Sequence, residues 1–293
     1  MNGLLLVDKP EGVSSAGVIR LLKARLGRTK VGHLGTLDPF ASGLLPLCLG
    51  EATKMARYLL LEEKAYCGTI QFGSATDTLD RTGEIIERAA VPAYTAESLA
   101  TIVTRFSGPQ TQVPPMYSAL KRNGVPLYQL ARRGIEVERA ARDICIHALR
   151  VWPGEGDALD FEVRCSKGTY IRVLASDIAA ALGTVGHLTV LRRTAVGAFA
   201  VENARSVEAL RDESIPLPLL TVREALADLR AFTVTDVVLQ ALARGQQYAL
   251  RSLPAALHDG EPALLVDDGG AVGALIEADS AGAWRVVRML QVA

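Results

Sequence analysis

Gly32–Leu45 reads GHLGTLDPFASGLL. One carboxylate, Asp38, stands in this stretch, followed directly by Pro39 and flanked by Gly32, Gly35 and Gly43. The proline fixes its own φ and pushes Asp38 out of the α region. Glycine admits positive φ and close approach of another backbone. The stretch therefore predicts a carboxylate held in a stiff, extended loop between flexible joints. A bare Asp-Pro turn reads as a structural turn in which Asp38 caps the next segment. The histidine and three glycines here exceed what such a turn requires.

Working outward, GLLLVDKP reads as a short buried strand ending at Pro10. SSAGVIRLLKARLG reads as one helix capped by Ser14 or Ser15, with Ile19, Leu22 and Leu26 on one face and Gly27 as its stop. ATKMARYLLL reads as a short helix, and AYCGTIQF as a strand with Tyr66, Gly68, Ile70 and Phe72 on one face. TAESLATIVTRFSGP carries a Leu99, Ile102, Val103 and Phe106 stripe between a Thr95 cap and a Gly108-Pro109 stop. Gln110 to Ala141 reads as irregular. It holds Lys121, Arg122, Arg132, Arg133 and Arg139, with Arg142 just beyond, against Glu136 and Glu138. A long segment of this kind in a compact domain reads as a functional loop. Leu159–Cys165 alternates as a strand, SKGTYIRVLASDIAAALG reads as a turn and helix closed by Gly183, and HLTVLRRTAVGAF as a further strand. Thr221 and Glu224 form a capping box. From about residue 231 to 293, short strands are broken by DGE, DDGG and SAG turns, which predicts a separate small β unit.

Composition narrows the classes. With 49% hydrophobic residues over 293 positions the chain suits a globular protein of one large and one small domain. The balance of 32 basic against 32 acidic groups hides the local excess in the insertion. No secretory h-region and no apolar run long enough for a membrane span is evident, which predicts a cytoplasmic protein. The four scattered cysteines read as reduced thiols, and no metal-ligand spacing occurs, so no metal is expected.

The loop GHLGTLDPFASGLLP resembles the characteristic loop of the TruB family of tRNA pseudouridine synthases. The likeness extends to DKPEGVSS, to LGEATKMARYL with KAY, to VPPMYSALKRNGVPLYQLARRGIEVERAAR, to CSKGTYIRVLASDIAAALG and to HLTVLRRTAVGAF, in family order over roughly residues 1–220. It implies an α/β (α+β) catalytic domain over 1–230 with a mixed, mostly antiparallel sheet. It further implies an RNA-gripping insertion near 110–142 and, more weakly, a PUA-like β barrel over 231–293. The implied reaction is cofactor-free isomerisation of uridine 55 in the tRNA T arm to pseudouridine, by a monomer without an obligate protein partner.

The same resemblance assigns site residues. Asp38 matches the catalytic aspartate; attack at C1′, attack at C6 and deprotonation at C2′ are all open to it. Tyr66 matches a tyrosine lying against the uracil ring, although its alternating strand alone suits a core tyrosine. Arg172 matches an arginine that pairs with the aspartate and keeps it ionised. Tyr170 and Leu191 match the lining of the uridine pocket, or serve as core. His33 matches a histidine touching flipped-out RNA, or bonds within the loop. Lys9 supports the loop or meets a phosphate. Lys121, Arg122, Arg132 and Arg133 are expected on RNA phosphates, offsetting the cost of extruding the base. The rivals are a tRNA-binding and folding factor with modification secondary, a subunit of a guide-RNA particle, and a carboxylate phosphatase. The bacterial-type insertion argues against the guide-RNA reading. Neither VDKP nor TLDP has the D-x-D spacing that a phosphatase needs.

Overall fold

The computed structural model describes residues 1–59 and 63–290. β1 (Gly3–Lys9) is buried along nearly its whole length. α1 (Ser15–Leu21) is capped by the Ser14 hydroxyl, which accepts the Gly17 N–H. The expected single helix is divided: Leu22 leaves helical geometry before α2 (Lys23–Leu26), and Gly27 stops the run at φ 54°. β2 (Val31–His33) and β3 (Ser42–Leu49) follow, with the Asp38 loop between them. A 3-10 turn (Gly50–Lys54) and α3 (Ala56–Leu59) replace the expected helix over 52–61, whose last two residues lie outside the described residues.

β4 (Lys64–Phe72) alternates as its sequence predicts, burying Tyr66, Gly68, Ile70 and Phe72. β5 (Ser74–Thr76) and β6 (Ile85–Arg88) form a hairpin beside the site. α4 (Ala96–Phe106) begins at the Thr95 cap and buries Leu99, Ile102 and Phe106, each contributing about 1.5–3 kcal/mol. β7 (Gly108–Gln112), the β8 (Lys121–Arg122) and β9 (Val125–Pro126) hairpin and α5 (Leu127–Ala131) give the insertion more order than its composition suggested. β10 (Arg142–Pro153), unforeseen in the sequence, pairs with β7 and with β11 (Ala158–Cys165). α6 (Ile171–Ala181), β12 (Gly186–Val196) and the two-residue strands β13 (Phe199–Ala200), β14 (Arg205–Ser206) and β15 (Leu219–Leu220) complete the large sheet, with α7 (Val207–Arg211) and α8 (Val222–Ala225) beside it.

The large sheet runs β14-β1-β3-β12-β4-β11-β10-β7. It is antiparallel except where β12 meets β3 and β1 meets β14. α4 and α6 cover the β4-β11-β10 face, with Leu174 and Ile178 meeting Ile70 and Phe161 in one apolar cluster. The C-terminal unit is a second sheet of β16 (Arg230–Thr233), β17 (Pro262–Val266), β18 (Val272–Ala278) and β19 (Trp284–Met289), with α9 (Asp236–Ala243) alongside. It does not stand apart: Leu264, Val266 and Leu275 share a cluster with Leu4, Leu6 and Met55, and Arg57 pairs with Glu277 at 2.7 Å.

Candidate active site

The Asp38 loop is fastened from below. The Ser15 hydroxyl accepts the Leu37 N–H at 2.9 Å and donates to the Leu37 carbonyl at 3.1 Å. Lys9 is 0% exposed, and its ammonium donates to the carbonyls of Pro10 (2.8 Å), Val13 (2.7 Å) and Pro39 (3.3 Å). Burial lowers the Lys9 pKa to about 8, against the pull of Asp38. Lys9 therefore supports the loop and does not present itself to a phosphate. Gly35 and Gly43 take positive φ, 95° and 102°, whereas Gly32 lies in β2 and needs none.

Arg172 projects from the first turn of α6 and is only 4% exposed. Its Nε lies 2.9 Å from Asp38 Oδ2, and its Nη2 donates to Oδ1 at 3.4 Å. The same guanidinium donates to the carbonyls of Thr78 (2.7 Å) and Tyr117 (2.6 Å) and stands 3.6 Å from Asp80. A planar fork with five donors suits this convergence of elements; a single ammonium does not. Burial raises the Asp38 pKa and the nearby Asp80 charge adds to this, while Arg172 and Lys9 act to keep the carboxylate ionised.

Two cavities meet at Asp38. The inner one, about 310 Å³, is lined by Tyr66, Tyr170, Leu191 and Arg193 together with Asp38 and Arg172. The outer one, about 700 Å³, is lined by His33, Asp77, Tyr117, Tyr128 and Arg132, again with Asp38 and Arg172. The two tyrosines and Leu191 give the inner cavity apolar walls, and burial raises the pKa of both phenols. His33 stands in the outer cavity; its Nδ1 is buried without a hydrogen-bond partner, so it does not fasten the loop through that atom. Burial and then Arg193 lower its pKa.

The insertion residues divide. Arg132 faces the outer cavity with its guanidinium 5.7 Å from the Tyr128 ring centre. Lys121, Arg122 and Arg133 are exposed and line neither cavity; Arg122 donates to the Glu138 carbonyl at 2.8 Å. Asp80 and Arg193 escaped the sequence reading. The available signal for Asp80 is the repeated Thr-Leu-Asp of residues 36–38 and 78–80. Arg193 follows Arg192 and looks like another surface cation, yet Arg192 pairs outward with Asp8 at 2.8 and 3.0 Å while Arg193 points in.

Comparison with known proteins places the chain in a family. The family model of the TruB family pseudouridylate synthase N-terminal domain matches residues 23–171, half of the chain. The chain belongs to the TruB family. The model of the tRNA pseudouridylate synthase B C-terminal domain continues the TruB match over residues 172–217, which carry α6, Leu191 and Arg193. TruB-family relatives include tRNA pseudouridine synthase B of Hydrogenovibrio crunogenus, 50% identical over 72% of this chain and 69% of the relative. That of Nitrosococcus oceani is 44% identical over 87% and 84%. In fold, the chain matches one in the crystal structure of a Cbf5-Nop10-Gar1 complex, with TM-score 0.70, 23% identity and coverage of 98% and 84%. It also matches one in an H/ACA RNP bound to a substrate RNA containing 2'-deoxyuridine, with TM-score 0.72, 22% identity and coverage of 99% and 85%. These likenesses show a shared fold across the chain, including the small C-terminal sheet.

Proposed function

We propose that this chain is a tRNA pseudouridine-55 synthase. The observation that carries the reading is the Arg172–Asp38 pair at the junction of two cavities, in a chain of the TruB family. The inner cavity takes the extruded uridine, with Tyr66, Tyr170 and Leu191 against the base; an aromatic face replaces the stacking lost on flipping. Asp38 is the reacting carboxylate, and a covalent bond to the substrate divides one difficult step into two. The C1′–N1 bond breaks, the uracil turns, C5 bonds to C1′ and loses its hydrogen as a proton, and N1 gains one. Arg172 orients Asp38 and opposes its protonation.

The outer cavity takes the nucleotides beside the target, with His33 and Arg132 on its wall. Lys121, Arg122 and Arg133 contact the backbone farther out, and their charges help offset the few kcal/mol of unstacking. Residues 1–230 form the catalytic unit with its insertion at 110–142, and 231–293 an RNA-binding unit. The protein acts as a cytoplasmic monomer on free tRNA, without a protein partner.

The test is tritium release from an unmodified tRNA transcript labelled at uracil C5, with wild type and Asp38→Asn. Release by wild type alone, with both proteins binding tRNA equally, is the expected result. Tight binding without release by wild type would overturn the reading in favour of an RNA-folding factor.

A further inference from the structure

Arg193 is 1% exposed, yet nothing in the reaction as described above uses it. It stands where three strands cross: β12 pairs Arg193 with Gly43 of β3 on one side and with Tyr66 of β4 on the other. The approach to β3 needs a glycine. A Cβ at Gly43 would overlap the Arg193 carbonyl oxygen and come within 2.7 Å of its backbone nitrogen. From this crossing the side chain turns back toward the Asp38 loop. Its Nε donates to the Leu44 carbonyl at 2.7 Å and its Nη2 to the Gly35 carbonyl at 3.1 Å. Those carbonyls lie on opposite sides of Asp38 in the chain. The guanidinium also lines the inner cavity beside Tyr66, and its charge opposes the rise that burial gives the Tyr66 pKa.

A buried cation whose backbone acceptors are neutral is expensive, because desolvation costs several kcal/mol and well-packed apolar side chains fill such space at lower cost. Packing alone therefore does not explain an arginine here. The fork does: one rigid group spans two carbonyls beside the Tyr66 phenol. We propose that Arg193 is a positioning residue of the isomerisation, a clasp that closes the Asp38 loop at both flanks and fixes its distance from Tyr66. This inference rests on the function proposed above. A displacement of the loop by about 1 Å is enough to lower turnover about a hundredfold.

R193K keeps the charge but cannot span both carbonyls, and Arg193→Met removes both charge and fork. Two readouts separate positioning from packing. Hydrogen exchange on the free protein is expected to accelerate about tenfold or more in R193K across Gly35–Leu44, with the strands β10 and β11 unchanged. At saturating tRNA the single-turnover rate of R193K is expected to fall about a hundredfold, with the tRNA Kd within twofold of wild type. Faster exchange spread over the whole sheet, unchanged loop protection, or a rate within threefold of wild type would each overturn the proposal. If Arg193→Met does not fold, R193K decides. The exchange arm needs no activity, so an inert wild type sinks the synthase reading while the loop clasp is judged separately.

Discussion

Two Thr-Leu-Asp triplets, residues 36–38 and 78–80, send their carboxylates to the same guanidinium, yet their surroundings differ. Asp80 Oδ1 accepts from the Thr78 hydroxyl (2.9 Å), the Thr82 N–H (2.9 Å) and the Thr82 hydroxyl (2.5 Å), and the side chain is 5% exposed. Its Oδ2 faces Arg172 at 3.6 Å. Leu79 holds this turn at φ 62°, a left-handed conformation that leucine adopts only when its surroundings impose it. Asp38 has Arg172 as its side-chain partner, is 35% exposed, and opens on both cavities. The same side chain is thus held by several hydrogen bonds in one triplet and left open to the cavities in the other, where we propose that it reacts.

The sharpest way to break this comparison is turnover. Asp38→Asn is expected to lose at least about a thousandfold, the scale on which removal of a reacting group acts. Asp80→Asn is expected to lose about tenfold to a hundredfold, through a misplaced Arg172. Equal losses in single-turnover assays would dissolve the distinction. Stability should reverse the ranking. Asp80→Ala removes the more deeply buried of the two carboxylates facing Arg172 together with the acceptor of Thr78 and Thr82, and is expected to cost about 3 kcal/mol in denaturant unfolding, whereas Asp38→Asn keeps wild-type stability or gains slightly.

The acid limb of the pH–rate profile sharpens the contrast further. Burial raises the pKa of Asp38, so its ionised form is lost as pH falls through a value above the usual carboxylate range. Asp80 is one cause of that rise. Asp80→Asn should therefore carry the acid limb to lower pH, and coincident limbs would show that the two carboxylates do not sense each other. Thr82→Val is the smallest test. It removes one hydroxyl from Asp80 and is expected to cost about 1 kcal/mol of stability, with turnover within threefold of wild type.

Elements whose signals are local were legible in the sequence. The alternation of β4, the Thr95 cap of α4 and the Gly183 stop of α6 all stand where the residues placed them. β10 was not legible, because a bulge between Ile146 and Ala148 breaks its period and moves the next buried position to Leu149. β7 hid behind Gly108-Pro109, which reads as a helix stop; Pro109 is tolerated because β7 lies at the sheet edge. Within the insertion, Asn123-Gly124 carried a hairpin signal that the surrounding bases obscured, and both residues take positive φ. Asp38, Tyr66 and Arg172 came from motif resemblance. For Asp80 the repeated Thr-Leu-Asp was the one signal, and no local rule reveals Arg193, whose burial arises from strands that meet only in the folded sheet.

The cluster that joins Leu4 and Leu6 to Leu264, Val266 and Leu275 also orders events in time. The first strand leaves the ribosome early, and the sheet that completes this cluster is among the last segments made. At about 5–20 residues per second, roughly a quarter of a minute to a minute separates them. During that interval the cluster around Leu4 and Leu6 is filled only in part. The cluster against the catalytic sheet is therefore complete only when translation is nearly over, and a ribosome stalled before β17 would hold a protein whose loop sequence is complete but whose shared cluster still lacks Leu264, Val266 and Leu275.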